Sequence, residues 1–359
     1  MRIAVTLVAL STLAGCGSLE PAAALATASG TLSIQATVQS DCQAGDPCDA
    51  TNTWDLTDIG IDPSHRQSFP GAPPIVVATI DTGIDPNQPA FAGSLEPMID
   101  LEGSDIYRDG SRAITYAGRD GNGHGTHVAG TILAVAGTGS VKILPVKAIG
   151  NTGQGDDATI AAAIRQATDW RDPQDPAVRV RVMNLSIGGK LGSVALGDAI
   201  RYAVSQGVVL VAASGNQAEG VDFPASIPQV IAVGASTVTD ELASYSNCGP
   251  SLALVAPGGD DNQAVWSTWP TYLTATDLDH GATQVHDHAS MVGTSMAAPH
   301  VTGAVALLLE QDPTMTPQQV RDRLSGAAVN LGLIGPNPYF GAGLLSVSRA
   351  LADWGPDAP

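Results

Sequence analysis

Ile75-Val76-Val77-Ala78-Thr79-Ile80-Asp81-Thr82-Gly83-Ile84-Asp85 begins as an unbroken apolar run and ends on a carboxylate and a glycine. Residues 75–80 lack the polar alternation of a half-exposed strand, so they fit a strand covered on both faces. Gly83 permits a sharp turn just beyond Asp81, which leaves that carboxylate where the buried strand runs out. Residues 141–147, 180–185, 208–212 and 230–233 have the same character. Helical patterns follow His124, Asp156, Ser193, Ser295 and Thr316, so strands and helices alternate. The pattern predicts an α/β domain in three layers, with a mostly parallel central sheet and helices on both faces. Active sites of such sheets gather where strands end and helices begin.

The whole sequence is consistent with one such domain. Its 359 residues are 44% hydrophobic but only 4% aromatic, with 40 Gly and 24 Pro, which describes an aliphatic core joined by many tight loops. The formal charge of −19 opposes the phosphate backbone, so nucleic acid is excluded as an expected partner. No internal repeat is visible. Residues 17–53 are rich in Ala, Ser, Thr, Gln and Asp without a sustained apolar period and read as a linker. The body is expected over 54–352, followed by a short tail at 353–359.

Three motifs stand at strand or helix boundaries. In V-A-T-I-D-T-G-I-D, Asp81 is placed to orient an imidazole; D-T-G also marks aspartic proteases, which need a second such carboxylate, and the chain has only one. In G-N-G-H-G-T-H-V-A-G, Gly123 and Gly125 clear side chains from around His124, while His127 reads as a buried structural residue. Zinc of the H-E-x-x-H kind needs a Glu and i, i+4 histidines, and neither is present. In G-T-S-M-A-A-P-H-V-T-G-A-V-A-L-L-L-E, Ser295 opens a helix that is apolar nearly all round. The helix dipole there favours developing negative charge. A lone Ser at that place also serves as a cap, and Ala297 breaks the G-x-S-x-G elbow of esterases.

Taken together, and in the order Asp, His, Ser, these motifs closely resemble the subtilisin-like serine proteases. V-M-N-L-S-I-G-G at 182–189, V-V-L-V-A-A-S-G-N-Q at 208–217, P-Q-V-I-A-V-G-A-S at 228–236 and Y-F-G-A-G-L-L-S-V at 339–347 extend the resemblance over roughly 54–351. It implies a subtilisin-like fold and a serine endopeptidase acting on protein or peptide substrates. Ser295 would be the nucleophile, His124 the general base, Asp81 its orienting carboxylate and Asn216 an oxyanion donor. Ser186, Ile187 and Gly188 would form the edge strand that pairs with the substrate backbone, and Ala213, Ser214 and Gly215 the wall of the primary pocket. Asp222, two residues before Pro224, would lie at the base of that pocket and select Arg or Lys. Turned outward to solvent, it would leave a pocket for large apolar residues instead. Two other functions share these residues: a peptide ligase or cyclase using the same acyl-enzyme, and a non-catalytic binding lipoprotein.

The amino-terminal residues carry a separate expectation. Arg2, an apolar run over 3–10 and small residues before Cys16 form a targeting segment too short to span a bilayer. Leu13-Ala14-Gly15-Cys16 resembles a bacterial lipobox, which implies acylation of Cys16, a membrane anchor and an exported protein. Cys42 with Cys48 is then the favoured disulfide, leaving Cys248 as a packed small residue.

The sequence departs from the family pattern at three places. Residues 17–53 are too few to form the inhibitory prodomain many secreted relatives carry. The loop that holds the family's tight calcium site is missing after Thr131, and no cofactor is required. A weaker calcium site is left to Asp-bearing loops at 105–120 or 277–279. The long stretch 268–291 brings His280, His286 and His288 together in sequence, either as a metal site or as solvated side chains.

Overall fold

The computed structural model describes residues 30–40, 53–62 and 74–352, apart from 104, 111, 140, 333 and 334. Strands β1 (Thr31–Ile34) and β2 (Thr37–Ser40) and helix α1 (Trp54–Asp58) come before β3 (Ile75–Asp81) and β4 (Ile99–Asp100). A hairpin of β5 (Ile106–Asp109) and β6 (Arg112–Thr115) leads to α2 (His124–Ala136) and β7 (Val141–Lys147). Next come β8 (Gln154–Asp156), α3 (Asp157–Asp169), β9 (Val180–Leu185), β10 (Ile187–Gly188) and α4 (Val194–Ser205). The remainder comprises β11 (Val209–Ala213), β12 (Ile231–Ser236), β13 (Leu252–Pro257), β14 (Val265–Thr268), α5 (Ala275–Asp279), β15 (His288–Val292), α6 (Thr294–Gln311), α7 (Pro317–Ala327) and α8 (Val347–Leu351).

Seven parallel strands form the central sheet in the order β13-β12-β11-β9-β3-β7-β4. Successive side chains of a strand point to opposite faces. Val77, Val182 and Val211 accordingly pack with α2 and α6, while Val76, Ala78, Met183 and Ala212 pack with α3 and α4. This is the three-layer α/β architecture the alternation predicts. The five expected strands are β3, β7, β9, β11 and β12; β13 extends the sheet beyond them.

Helix starts follow local chemistry. Asp156 accepts hydrogen bonds from the N–H groups of Ala158 and Thr159, Ser193 accepts from Leu196, and Thr316 forms a capping box with Gln319. Helix α6 is buried from Thr294 to Glu310. Its Val301, Val305, Leu308 and Leu309 are almost wholly removed from water, each worth roughly 1.5–3 kcal/mol.

The linker expectation is corrected at 31–34 and 37–40, which are strands. Thr31-Leu32-Ser33-Ile34 alternates for too few residues to register as a strand in isolation. It becomes one by pairing antiparallel with β8 on one side and β10 on the other. Strand β2 pairs antiparallel with β15. Residues 1–29, including Cys16, and both Cys42 and Cys48 lie outside the described residues. Cys248 is disulfide-bonded, which corrects its reading as a packed single thiol; its partner lies outside the described residues. Among the described residues, no helix is long and apolar enough to cross a membrane.

Candidate active site

The carboxyl end of β3 and the amino end of α2 meet at Asp81 and His124. Asp81 is buried, and its Oδ1 accepts from His124 Nδ1 at 2.7 Å and from the Thr82 N–H at 2.7 Å. Since a carboxylate only accepts, this bond places the imidazole proton on Nδ1 and leaves Nε2 as the basic nitrogen. Nε2 has no hydrogen-bond partner.

A web of short bonds holds the turn before His124. Asp120 Oδ1 accepts from Thr82 Oγ1, the Asn122 N–H and the Gly123 N–H. Its Oδ2 accepts from the N–H and the hydroxyl of Thr126. Thr82 Oγ1 in turn accepts from the Gly125 N–H at 2.9 Å. A Cβ on Gly125 would sit 2.1 Å from the Gly83 carbonyl oxygen, so the close approach of α2 to the end of β3 requires glycine there. His127 is fully buried, and burial and then the nearby His124 charge push its pKa down to about 3, so it stays neutral and structural.

Ser295 is the second residue of α6. Its Oγ donates to the Ser186 carbonyl at 2.8 Å and accepts from the Gln35 N–H at 2.9 Å. Its backbone N–H donates to the Gln35 carbonyl oxygen at 3.1 Å. Asn216 is oriented by its own oxygen, which accepts from the N–H and hydroxyl of Thr294 at 3.0 and 2.8 Å. Its Nδ2 and the Gln35 oxygen lie 3.1 and 2.3 Å from where a Cβ on Gly293 would stand, so both face the same small space.

Of the expected substrate strand 186–188, Ile187–Gly188 forms β10, and Ser186 precedes it, donating from Oγ to the Ser295 carbonyl at 2.9 Å. Its edge is taken by β1 of the same chain. Ala213 ends β11, and Ser214 and Gly215 follow it; Gly215 has φ +110°, and a Cβ there would meet Asn247 Nδ2 at 2.2 Å and Asp222 Oδ2 at 2.5 Å. Asp222 therefore lies against Gly215, and it is buried rather than turned to solvent. Its Oδ1 lies 3.0 Å from Lys190 Nζ. Burial raises its pKa, against the opposing pull of Lys190.

Among the described residues, no group of three or more His, Cys, Asp or Glu side chains converges as a metal site. Asp105 is spent on Lys147 at 2.9 Å and on Asn151, and Asp277 on Trp269 and Thr274. His286 and His288 stack on Trp269 and Trp266. Sequence reasoning missed Gln35, Thr82, Asp120, Lys190 and Trp269. Only Thr82 and Asp120, inside the D-T-G and D-G-N-G-H runs, carried a local signal.

With this geometry, residues 73–343 match the Subtilase family, peptidase S8. The chain belongs to that family. It is 35% identical over 304 residues to subtilisin DY of Bacillus licheniformis, covering 81% of this chain and 96% of the relative. It is 36% identical over 298 residues to subtilisin E of Bacillus subtilis, covering 80% and 68%. Among solved structures it resembles fervidolysin from Fervidobacterium pennivorans, a keratinolytic enzyme related to subtilisin, with TM-score 0.70 and 28% identity. That match covers 91% of this chain and 52% of the other. The subtilase is a serine endopeptidase, a hydrolase whose substrates are proteins or peptides.

Proposed function

We propose that Ser295, His124 and Asp81 are the catalytic triad of this endopeptidase. The observation that supports the roles most directly is the 2.7 Å Asp81–His124 bond, which leaves Nε2 free of hydrogen-bond partners. Ser295 Oγ turns from the Ser186 carbonyl toward Nε2, transfers its proton and attacks the scissile carbonyl. His124 then delivers the proton to the leaving amine, and water hydrolyses the acyl-enzyme by the reverse relay. Asp81 holds the tautomer and stabilises the imidazolium. Asn216 Nδ2 and the Ser295 N–H receive the oxyanion.

Export and acylation at Cys16 are part of the same proposal, supported by the L-A-G-C run. Any structural calcium would be held by loop carboxylates still open to solvent, since Asp105 and Asp277 are engaged within the protein.

The test is fluorophosphonate labelling followed by mass analysis of peptide products. Ser295 is expected to carry the label, and cleaved rather than joined peptides to accumulate. Ser295→Ala and His124→Ala should each abolish hydrolysis, and the double variant should lose little more, because the pair acts as a unit. Asn216→Ala should keep the label but turn over ~100-fold more slowly or worse, a magnitude taken from subtilisin rather than derived from this chain. Additive losses in the double variant would remove the triad assignment.

A further inference from the structure

Lys147 is the last residue of β7, in register with Asp81 at the end of β3, and its ammonium is wholly withdrawn from water. Its Nζ donates to the Thr82 carbonyl at 2.7 Å, reaches the Ile149 carbonyl at 3.5 Å and lies 2.9 Å from Asp105 Oδ2. No step of acyl transfer uses this cation. Yet it holds the residue that follows Asp81, and the Thr82 N–H is one of the two donors on Asp81 Oδ1.

From Asp105 the contacts run on to the segment that carries His124. Asp105 Oδ1 accepts from the Asn151 N–H at 3.0 Å and from Asn151 Nδ2 at 2.6 Å. The Asn151 carbonyl accepts from Asn122 Nδ2 at 2.9 Å, and Asn122 Oδ1 accepts from the His124 N–H at 3.3 Å. Thr82, Lys147, Asp105, Asn151, Asn122 and His124 thus form a chain, which the Asp81–His124 bond closes into a ring.

A buried ion pair is a poor way to stabilise a fold. Withdrawing two ions from water costs about what their attraction returns, and apolar side chains of similar volume commonly serve stability as well or better. What an apolar pair lacks is direction, since it has no donor for the Thr82 carbonyl and no acceptor for Asn151. Only the two torsions of Thr82 separate that carbonyl from the N–H aimed at Asp81, so freeing one loosens the other. A cation fixed between a carboxylate and two carbonyls has one place to stand, and the strand end and the helix start then keep one spacing.

We propose, on the triad reading above, that Lys147 is a positioning residue for the triad. Through Thr82 it fixes Asp81, and through Asp105, Asn151 and Asn122 it fixes the backbone of His124.

Lys147→Met alone would strand the Asp105 carboxylate, so the test replaces the pair together. Lys147→Met with Asp105→Leu is expected to unfold in urea no earlier than the parent. Its turnover per fluorophosphonate-labelled site should nonetheless fall roughly 10- to 100-fold with KM moved no more than about twofold, because a misplaced base costs the transition state rather than the bound substrate. Asn122→Ala opens the ring at its other end with no change of charge and should lower kcat per labelled site about tenfold. The combined variant should lose less than the product of the two separate losses, since a ring once opened is not opened again. The His124 Nδ1 proton, followed by NMR in each variant, should move upfield as its bond to Asp81 lengthens. Parental turnover per labelled site in the folded double variant, or in Asn122→Ala should the double variant not fold, would overturn the positioning role and leave the triad standing. Losses that multiply would overturn the relay through Asn122. A parent that does not label would remove the triad reading, and the role of Lys147 with it.

Discussion

Lys190 Nζ lies 3.0 Å from Asp222 Oδ1 and 2.8 Å from Glu219 Oε2, so a half-exposed ammonium caps the buried Asp222 carboxylate. An Arg or Lys substrate residue must displace that ammonium to reach Asp222. Burial pushes the Asp222 carboxyl up while Lys190 opposes the shift, so removing Lys190 leaves a desolvated acid in want of a cation. In Lys190→Met, hydrolysis after Arg and Lys should rise about tenfold or more relative to the parent, as expected for a hydrogen bond to a charged group. Asp222→Ala in the same background should erase the gain. Peptides varied only at the residue before the cut measure both. An unchanged profile in Lys190→Met would show that Asp222 does not face the substrate.

The sheet was legible in the sequence because buried parallel strands are continuous apolar runs, and the segments around Asp81, His124 and Ser295 stood out because each is a short, Gly-bearing boundary motif. What was not legible depends on pairing across long stretches of chain. Leu32 and Ile34 are a strand only between Gly155 and Ile187. The Lys190 cap on Asp222 needs two loops to meet, and neither residue predicts the other. Disulfide connectivity is likewise a tertiary property, which is why Cys248 looked like a packed thiol.

Helix α6 buries an acid near its end. Glu310 is 3% exposed, both carboxylate oxygens lack hydrogen-bond partners, and burial raises its pKa from 4.5 to about 7. A raised acid contributes its full share of stability below the unfolded pKa and loses it as pH rises through the folded one. The window is therefore about pH 4.5 to 7. Glu310→Gln should match the parent near pH 4 and be more stable at pH 8, by about 3 kcal/mol at most. Urea unfolding at both pH values, in a Ser295→Ala background to prevent autolysis, checks this. A gain of equal size at both pH values would exclude ionisation as its cause.

Cys248 is disulfide-bonded, and the other cysteines of the sequence stand at 16, 42 and 48, so the bond closes a long loop. Cys248 is 1% exposed, its N–H donates to the Glu219 carbonyl, and the neighbouring Asn247 Oδ1 accepts from the Gln217 and Glu219 N–H groups. Closing a long loop removes freedom from the unfolded chain, so Cys248→Ser should cost about 2–5 kcal/mol. The loss should appear as a lower Tm that reducing agent reproduces in the parent. Peptide mapping without reduction should find Cys248 in a cross-linked pair. A free Cys248 thiol in the folded protein would contradict the structure directly.

The long stretch before Ser295 braces the turn before His124 through Trp269. The indole is 1% exposed, and its Nε1 donates to the Asp277 carboxylate at 3.1 Å, which itself forms the capping box of α5 with Thr274. The ring stands 2.3 Å from where a Cβ on Gly123 would be, so the residue before His124 must be glycine and its backbone is pressed against the indole. Tyr272 Oη donates to the Asp120 carbonyl and the Ala275 N–H to that of Gly121, both in the same turn, while Arg119 lies over the Tyr272 ring at 4.7 Å. Trp269→Ala should cost about 3–5 kcal/mol from the cavity it leaves. It should also lower kcat by up to ~100-fold with little change in KM, because displacing an imidazole by about an ångström costs catalysis more than binding. Trp269→Phe keeps an aromatic ring in the cavity but gives up the Asp277 bond and the part of the indole pressed on Gly123, so it should retain more of kcat than Trp269→Ala. Turnover per fluorophosphonate-labelled site separates positioning from folding: if Trp269→Ala melts earlier yet turns over normally per labelled site, the brace stabilises the domain without aligning His124.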